Sequence, residues 1–438
     1  MNQLSPWQDT ISFTPRKRLS ENISTDILII GGGIAGILCA YELERRNADY
    51  MLVTGGTLCD GVTAHTTAKI TAQHGLIYDK IIRQYDINFA KAYMEANIYA
   101  LDRYKKIISE TGCSCDFEQL DSYVFSLNNP DIIRQEVYAL KRLGINSEFI
   151  SNTVLPFKIA GAVIFPNQAQ FNPLKFLSCI SKDLNIYENT FITGIRNNHT
   201  AITASKHHIN AKKIIIATHF PFIKWHGSYF LKLYQHRSYV IALENAPDLN
   251  GIYVSASQNG LSFRNYNNLL LIGGGSHRTG KNGGNFQILR EFAKKYYPDC
   301  PEKYHFATQD CLSLDSVPYI GRCSKLTPNI FTASGFNKWG MTSSMAASLI
   351  LADMVMDRPN KYGKIFNPSR NMFTSQLFIN AGEAAMHLLS PFGKRCTHMG
   401  CRLKWNSAEH TYDCPCHGSR FSGDGSIINN PAMRRKNL

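Results

Sequence analysis

Three glycines spaced as Gly31-x-Gly33-x-x-Gly36 lie between two short apolar segments near the amino terminus. Before them, Ile27 to Ile30 is a β-rich run that favours a strand, and after them the apolar residues recur as in a helix. A second apolar run, Tyr50 to Val53, completes a strand–helix–strand unit. In such a unit the glycines permit a tight turn, a close approach of the backbone to a pyrophosphate, and close packing of the helix on the strand. The order of these elements therefore predicts a dinucleotide site, with the helix N-terminus facing the phosphates.

The second strand of this unit lacks the acidic residue that commonly binds the adenosine ribose. Thr54 stands at that position and is followed by Gly55 and Gly56. We therefore expect Thr54, a backbone group or a water molecule to contact the ribose.

The composition is that of a globular chain with room for two or three domains. With 438 residues, 44% of them hydrophobic, a large core can be buried. The most apolar run, Ile27 to Tyr41, is broken by glycines and closed by Glu42, so we expect neither a signal peptide nor a membrane span, and a cytoplasmic location. Eight of the twelve cysteines lie outside the carboxyl-terminal cluster, and most of these are scattered singly, which is typical of reduced core residues.

The formal net charge of +14 raises the question of an anionic partner. The basic residues are spread along the chain, and no recognised nucleic-acid motif accompanies them, so nucleic-acid binding is not expected. One interpretation is a solvated basic surface. The alternative is steering of an acidic redox partner or an anionic substrate.

A second pattern is spread over four later segments, GVTAHTTAKITAQHGLIY (61–78), KIIIATHFPF (213–222), DSVPYIG (315–321) and NIFTASGFNKWGMTSSMAASLILADMV (329–355). Together with the glycine motif they resemble the D-amino-acid-oxidase-like superfamily of FAD-dependent oxidoreductases, over roughly residues 20–358. The resemblance implies FAD rather than NAD as the resident cofactor. It also implies that Gly335, Gly340 and Met341 lie in a strand-to-helix passage against the flavin.

The fold class that this resemblance implies is an α/β, Rossmann-like FAD-binding domain with an interleaved α+β substrate domain. The whole oxidoreductase unit is expected over residues 20–368. Its FAD-binding parts are expected at about 20–80, 160–225 and 305–360, and its substrate-facing parts at about 80–160 and 225–305.

Four polar residues are candidates for catalysis. Lys338, in the flavin-adjacent passage, is expected to place a positive charge near the pyrimidine edge of the ring, the alternative being a surface lysine. Arg264 and His277 flank the expected substrate strands and are candidates for binding a carboxylate or relaying a proton, the alternative for Arg264 being a surface strand residue. His74, in TAQHG, is a further candidate for the pocket.

The segment after the second strand supplies further candidate cofactor contacts, His65, Thr66 and Thr67. His65 stands where some relatives that oxidise N-methyl amino acids carry a histidine covalently bonded to FAD. The alternative for His65 is a buried, hydrogen-bonded histidine.

Near the carboxyl end, two short motifs combine cysteine with histidine. Cys396-x-His398 is separated by fifteen residues from Cys414-x-x-His417, so that each half offers one thiolate and one imidazole. This division suits a [2Fe-2S] centre with one iron held by two cysteines and the other by two histidines. A Cys2His2 zinc site is the competitor, although zinc fingers usually pair like ligands with like.

The sequence from Cys396 to Phe421 resembles the cluster-binding boxes of Rieske proteins. The resemblance implies that Cys401 and Cys416 form a disulfide between the two cluster loops, and that the Ser419 hydroxyl hydrogen-bonds a cluster sulfur. Phe421 replaces the tyrosine that donates a second hydrogen bond in high-potential members, so a middling reduction potential is expected.

The Rieske-type segment is short. A linker is expected at 369–390 and an abbreviated cluster-binding module at 391–438, where only about forty-three residues follow from Cys396 onward. Either the cluster and the disulfide hold a minimal fold against the FAD domain, or the segment is a remnant that binds iron poorly. We favour the first, because every ligand is present.

The whole chain thus resembles bacterial fusions of an FAD-dependent oxidoreductase with a carboxyl-terminal Rieske domain. We expect an enzyme that oxidises a small amine or amino-acid-like substrate and passes electrons singly through the [2Fe-2S] cluster to an external acceptor, such as an acidic electron-transfer protein. One alternative is an electron carrier or redox sensor without a small-molecule substrate. Another is a flavoenzyme whose tail holds zinc or no metal.

Overall fold

The structure, a computed structural model, describes residues 4–223, 226–257, 259–371 and 373–436. Its strands, in chain order, are β1 (Ile23–Ile30), β2 (Tyr50–Val53), β3 (Lys69–Ile70), β4 (Glu118–Ser126), β5 (Glu148–Ile150), β6 (Gly161–Gln170), β7 (Ile186–Tyr187), β8 (Ile192–Arg196), β9 (Thr200–Thr203), β10 (His208–Ile216), β11 (Leu233–Glu244), β12 (Ile252–Ser255), β13 (Ser262–Tyr266), β14 (Leu269–Arg278), β15 (Glu302–Ser313), β16 (Tyr319–Arg322), β17 (Ile330–Ser334), β18 (Lys404–Asn406), β19 (Thr411–Asp413), β20 (Arg420–Phe421) and β21 (Ile427–Asn429). Its helices are α1 (Ile34–Glu44), α2 (Tyr78–Gln84), α3 (Ile87–Thr111), α4 (Pro130–Arg142), α5 (Pro173–Ile180), α6 (Tyr229–Lys232), α7 (Phe286–Tyr296), α8 (Gly340–Val355) and α9 (Ser375–Leu389), with a short 3-10 helix at Val62–His65.

The first sheet has the order β16-β17-β10-β1-β2-β7, with β9 paired to β10 and β8 to β9. Strands β17, β10, β1, β2 and β7 run parallel to one another. The carboxyl-terminal halves of β1 and β10, Ile27–Ile30 and Ile214–Ile216, are continuous apolar runs, as expected where a sheet is covered on both faces. The predicted strand–helix–strand unit is present here as β1, α1 and β2.

Helix α1 packs directly on the turn that precedes it. A Cβ atom at Gly36 would lie 1.9 Å from the carbonyl oxygen of Gly31, so any larger residue must push the helix away from the turn. Gly31 itself has a φ of +122°, and a Cβ there would lie 2.5 Å from the Ala217 carbonyl oxygen. These two glycines therefore place the N-terminus of α1 close to the ends of β1 and β10.

The second sheet has nine strands in the order β15-β11-β14-β13-β12-β4-β6-β3, with β5 on β6. It combines the two regions expected to face the substrate, around 118–126 and 233–278. Strand β15 also belongs to it and pairs along the whole of β11, although it reaches into the range from 305 that the sequence assigns to FAD binding. The two long strands β11 and β15 thus form one edge of this sheet.

The carboxyl-terminal module is a small sheet of four antiparallel strands, β18-β19-β20-β21. All four strands follow Cys396, and their core consists of Leu403, Phe421 and Ala432 together with four cysteines. Helix α9 precedes them and lies within the range that the sequence assigns to a linker. In the part of the chain that the structure describes, no helix is long and apolar enough to cross a membrane.

Replacing Gly36 with alanine should destabilise the protein, because the new methyl group meets the Gly31 carbonyl at 1.9 Å. Overpacking of this kind costs about 1–3 kcal/mol. Gly194→Ala is the matched control, since a Cβ at Gly194 meets no atom of the described chain within 4 Å. Thermal unfolding should show a lower midpoint for Gly36→Ala than for Gly194→Ala; equal midpoints would contradict the close packing of α1.

Candidate functional site

A cavity of about 880 Å³ lies where the first and second sheets meet. Its volume is in the range of about 300–1,000 Å³ that is usual for ligand and cofactor sites. The wall from the first sheet includes the turn Gly31–Gly33 and Thr54 at the end of β2. The wall from the second sheet includes alternate residues of β11 and β15. Of the residues predicted to contact the cofactor or substrate, those that line the cavity are Gly31, Gly33, Thr54, Thr66, Thr67, His74, Lys338, Gly340 and Met341.

Two helix N-termini point at this cavity. Helix α1 begins after Gly33, and α8 begins at Gly340. Each brings the partial positive charge of a helix N-terminus, which suits phosphate or another anionic group. Gly335 is not part of the cavity lining and lies between Leu233 and Ser313. Its φ of +71° turns the chain from β17 toward α8.

Lys338 projects into the cavity from the turn before α8. Its ammonium group donates a hydrogen bond to the Ser276 hydroxyl. Partial removal from water lowers the pKa of Lys338, and the negative charge of nearby Asp310 opposes that shift. Burial raises the pKa of Asp310 in turn, while Lys338 lowers it. The cavity therefore contains a lysine and a carboxylate that each influence the other's charge.

His236 and Asp310 were not identified from the sequence, although both line the cavity. They are paired across β11 and β15, which places both side chains on the same face of the sheet. Burial and then the charge of Lys338 lower the pKa of His236 to about 3, so this imidazole is neutral. The sequence signal that could have found Asp310 is its position in a strand, where Thr308, Asp310 and Leu312 point to the same face.

Lys69 is a second basic residue in the cavity that the sequence did not single out. Burial, and then the charge of Arg264, lowers its pKa to about 7. It follows the Thr66–Thr67 segment and begins β3.

His74 lies in the cavity wall and has both ring nitrogens occupied. Its Nε2 lies 2.8 Å from the Thr71 carbonyl oxygen, which can only accept, so Nε2 carries the proton. Its Nδ1 then accepts from the Tyr93 hydroxyl at 2.6 Å. Burial lowers the pKa of His74 to about 3, and its ring stacks on Trp339 with centroids 5.1 Å apart. His74 is thus a neutral residue that positions Trp339.

Arg264 lies behind the cavity wall. Its guanidinium donates to the carbonyl oxygens of Thr67 and Ala68, at 2.8 Å each, and it stacks over the Trp7 ring. With 1% of its surface exposed, it holds the Thr66–Thr67 segment in place. The structure does not bring it into contact with the cavity.

His65 and His277 also lie outside the cavity lining. The Nδ1 of His65 lies 3.0 Å from the Gly61 carbonyl oxygen, and that of His277 lies 3.3 Å from the Gly275 carbonyl oxygen. The His277 ring stacks on Tyr239. His65 and His277 therefore lie behind residues that line the cavity, Gly61 and Tyr239 respectively.

The four predicted cluster ligands converge and are almost fully buried. Nδ1 of His398 lies 3.3 Å from Nδ1 of His417, and the two rings are perpendicular. Two imidazole nitrogens that share one tetrahedral metal ion at about 2.1 Å lie about 3.4 Å apart, so this pair fits a common metal. The Cys396 and Cys414 thiols hydrogen-bond to each other. The arrangement offers a pair of imidazoles and a pair of thiols, and the Cys414 sulfur also lies beside those of Cys401 and Cys416.

The predicted disulfide is not formed in the structure. Cys401 and Cys416 are free thiols. Their sulfur atoms lie with that of Cys414 in a group within 4.8 Å, and Cys401 hydrogen-bonds to both of the others rather than bonding to one. Ser419, as expected, lies at this centre: its hydroxyl oxygen accepts from Ala432 N at 3.0 Å, and it hydrogen-bonds Cys396.

Side chains of the second sheet bind the backbone carbonyl groups of residues 415–418, which form the second cluster loop. Gln235 Nε2 donates to the His417 carbonyl oxygen at 2.6 Å, and Gln309 Nε2 donates to that of Gly418 at 2.8 Å. Arg278 donates to the Pro415 carbonyl oxygen at 3.1 Å. Gly418 has a φ of +78°, and a Cβ there would lie 2.6 Å from the Gln235 side chain. The cluster loop and the sheet therefore fit closely.

A buried ion pair joins the same two parts of the chain. The Arg237 guanidinium binds both carboxylate oxygens of Glu409, with Nε 2.9 Å from Oε2. Each side chain is 4% exposed. Arg420 also contacts Glu409, at 3.0 Å, and pairs with Asp413. Burial raises the pKa of Glu409, but Arg237 and Arg420 outweigh it, so the carboxylate stays ionised.

The carboxyl-terminal module also forms part of the cavity wall. Ile427, Asn430 and Met433 line the cavity. Asn430 Nδ2 donates to the carbonyl oxygens of Thr218 and Phe220, at 2.6 and 2.7 Å. The Phe220 ring lies 6.4 and 6.3 Å from the rings of the two cluster histidines. Phe220 thus connects the imidazole pair to the segment that holds the lining residues Thr218 and His219.

Comparisons with known proteins agree with this architecture. Residues 26–354 match the family of FAD-dependent oxidoreductases termed DAO, and residues 370–437 match the Rieske [2Fe-2S] domain. A putative Rieske 2Fe-2S iron-sulfur protein of Bacillus subtilis, YhfW, is 34% identical over 98% of this chain and 96% of its own. An iron-sulfur subunit of the cytochrome b6-f complex from Nostoc is 46% identical over 48 residues, which are 10% of this chain and 27% of that subunit.

Solved structures resemble the FAD-binding part. Glycine oxidase from Geobacillus kaustophilus superposes with a TM-score of 0.67 at 17% identity, over 80% of this chain and 99% of its own. L-proline dehydrogenase from P. horikoshii superposes with a TM-score of 0.65 at 18% identity, over 82% of this chain and 98% of its own. The predicted fold class, FAD and the [2Fe-2S] cluster are thereby confirmed. The chain belongs to the DAO family of FAD-dependent oxidoreductases and carries a carboxyl-terminal Rieske [2Fe-2S] domain.

Proposed function

We propose that the protein oxidises a small amine or amino-acid-like substrate and passes the electrons one at a time, through its cluster, to an external acceptor. The observation that carries this proposal is the shared wall: Ile427, Asn430 and Met433 of the Rieske module line the cavity, and Phe220, the neighbour of the lining residue His219, contacts the rings of both cluster histidines. The similar solved structures include a glycine oxidase, an L-proline dehydrogenase and an L-amino acid deaminase, which supports the substrate class. A cytoplasmic location stays a prediction.

When bound, FAD accepts a hydride from an organic substrate, and a [2Fe-2S] centre carries a single electron at a time. In the proposal, the turn Gly31–Gly36 and the N-terminus of α1 hold the FAD pyrophosphate, with Thr54 toward the ribose. Thr66, Thr67, Gly340 and Met341 lie along the remainder of the cofactor. Cys396 and Cys414 bind one iron, His398 and His417 bind the other, and Ser419 hydrogen-bonds a sulfur.

Lys338 is the residue that we assign to the chemistry. Its side chain lines the cavity and remains accessible from it, so the positive charge can meet a group that binds there. It is held by Ser276 and faces Asp310, so its position is defined before any ligand binds. We assign Arg264 and His74 to positioning: Arg264 holds the Thr66–Thr67 segment, and His74 holds Trp339. His277 receives no role.

An anaerobic substrate screen tests the proposal as a whole. The holoprotein is mixed with amines, amino acids and hydroxy acids while the flavin absorption band is followed, and the reduced cluster is then detected by EPR. An amine or amino acid should bleach the flavin and produce the cluster signal. If none of these compounds bleaches the flavin, the protein is instead an electron carrier or redox sensor without a small-molecule substrate.

Lys338→Met should slow anaerobic flavin reduction by the identified substrate by about 100-fold or more, as for the loss of one charge-stabilising donor in an active site. Lys338→Arg, which keeps the charge, should recover part of the rate. Lys325→Met, at an exposed position, is the control and should match the wild type. Stopped-flow absorbance measures the rates, and the FAD content of each variant is measured separately. A wild-type rate in Lys338→Met would contradict the assigned role.

Glu409→Leu should uncouple the module from the sheet, because it leaves Arg237 buried without its carboxylate, at a cost of about 3–5 kcal/mol. The double variant Arg237→Met/Glu409→Leu should restore stability, since an apolar pair often replaces a buried ion pair without loss. Arg420 retains Asp413 in both variants. Flavin reduction should persist in all three proteins, while cluster reduction fails only in the single variant. Normal cluster reduction in Glu409→Leu would contradict the structural role of the pair.

A further inference from the structure

Helix α9 is oriented the opposite way from an ordinary surface helix. Its inner side carries polar residues: Asn380, 3% exposed, donates to the Leu231 carbonyl oxygen at 3.0 Å, and His387 is 5% exposed. Its outer side is apolar, with Phe378 69% and Met386 62% exposed. A helix packed on a globular protein normally buries its apolar side. Among the described residues, the apolar side of α9 therefore faces outward rather than into the protein.

The exposed apolar surface continues beyond both ends of the helix. Phe373 precedes α9 with 82% of its surface exposed, and Phe392 follows it with 79%. Contiguous exposed apolar surface of this kind marks an interaction site. We call this surface the α9 face, and its members are Phe373, Phe378, Ile379, Met386, Leu388, Leu389 and Phe392.

The charges around the α9 face are mainly positive. Helix α9 contains no lysine or arginine and one carboxylate, Glu383, which is paired with Lys281 at 2.7 Å. Basic residues cluster at its carboxyl end: Lys394 is exposed, and Arg402 Nη1 lies 3.3 Å from the Ser390 hydroxyl oxygen. Arg395 donates to the Leu388 carbonyl oxygen at 3.0 Å. The face is thus an uncharged apolar strip with a basic edge.

We propose that the α9 face docks the protein on the surface of an anionic lipid bilayer. Apolar side chains on one side of a helix enter the boundary between headgroups and acyl chains, and adjacent lysines and arginines attract anionic headgroups. The formal net charge of +14 acts in the same direction. Phe373, Phe378 and Phe392 are all more than two-thirds exposed, and large apolar side chains beside basic residues suit the boundary of an anionic bilayer. An acidic protein groove is the competing partner, and the vesicle experiment below separates the two.

Docking in this way places the Rieske module next to the membrane. The Cys416 sulfur lies 3.9 Å from the Glu383 carbonyl oxygen, directly behind α9. Since an α-helix with its side chains is about 10–12 Å across, the bilayer surface would lie about one helix diameter from the cluster loops. This inference does not depend on the identity of the substrate.

Flotation with lipid vesicles tests the docking directly. The full-length holoprotein should float with phosphatidylcholine vesicles that contain phosphatidylglycerol, and much less with phosphatidylcholine alone. Phe378→Asp/Met386→Asp should lower the bound fraction about ten-fold or more, because both carboxylates would have to enter the lipid boundary. Leu326→Asp, an equally exposed position on the FAD domain with 77% of its surface accessible, is the control and should bind as the wild type does.

A second double variant tests the basic edge and leaves the apolar residues of the α9 face unchanged. Lys394→Gln/Arg402→Gln should weaken binding to phosphatidylglycerol vesicles, and added salt should weaken wild-type binding. Light scattering should give the mass of one chain for the wild type. Absence of wild-type flotation would overturn the proposal, as would a dimer that Phe378→Asp/Met386→Asp dissociates, which would assign the face to a second copy.

Discussion

The buried pair of Arg237 and Glu409 joins the two parts of the molecule on which the proposed function depends. Arg237 belongs to a long strand of the second sheet, and Glu409 belongs to the small Rieske module. Removing two charges from water is costly, and the pair is tolerated because the guanidinium meets both carboxylate oxygens and Arg420 adds a further contact. Such a pair forms only when the two surfaces are in register, so it specifies one docked position.

The position that the pair specifies brings two sites together. Gln235 and Gln309 donate hydrogen bonds to carbonyl groups of the second cluster loop. Asn430 of the module donates to the carbonyl oxygen of Thr218, in the segment that follows β10. As a result, residues of the Rieske module form part of the cavity in which FAD belongs. The short module therefore has no need of many strands of its own, because the oxidoreductase domain supplies one side of the cluster site.

The parts of the structure that were predictable are those encoded in local spacing. The glycine spacing identified the turn at Gly31–Gly36, and the two Cys–His motifs identified side chains that do converge. The disulfide between Cys401 and Cys416 was inferred from the resemblance alone, and the structure has free thiols there. Spacing along the chain cannot give the distance between two sulfur atoms.

The residues that the sequence missed depend on contacts between distant segments. His236 and Asp310 meet in the cavity only because β11 pairs with β15. The paired residues are far apart in the sequence: the neighbouring pair Gln235 and Gln309 is separated by 74 positions. Arg264 was expected near the substrate because it flanks a strand, but the segment at Thr67 and Ala68 covers it and accepts its hydrogen bonds. Which segment covers a strand is a property of the tertiary fold.

Flash photoreduction of the flavin in the anaerobic holoprotein tests the central claim most directly. After the flash, the flavin and cluster absorption bands are followed at several protein concentrations. The account predicts that the cluster is reduced as the flavin is reoxidised, in a first-order process whose rate is independent of protein concentration. A rate that rises in proportion to protein concentration, or a cluster that stays oxidised, would contradict it.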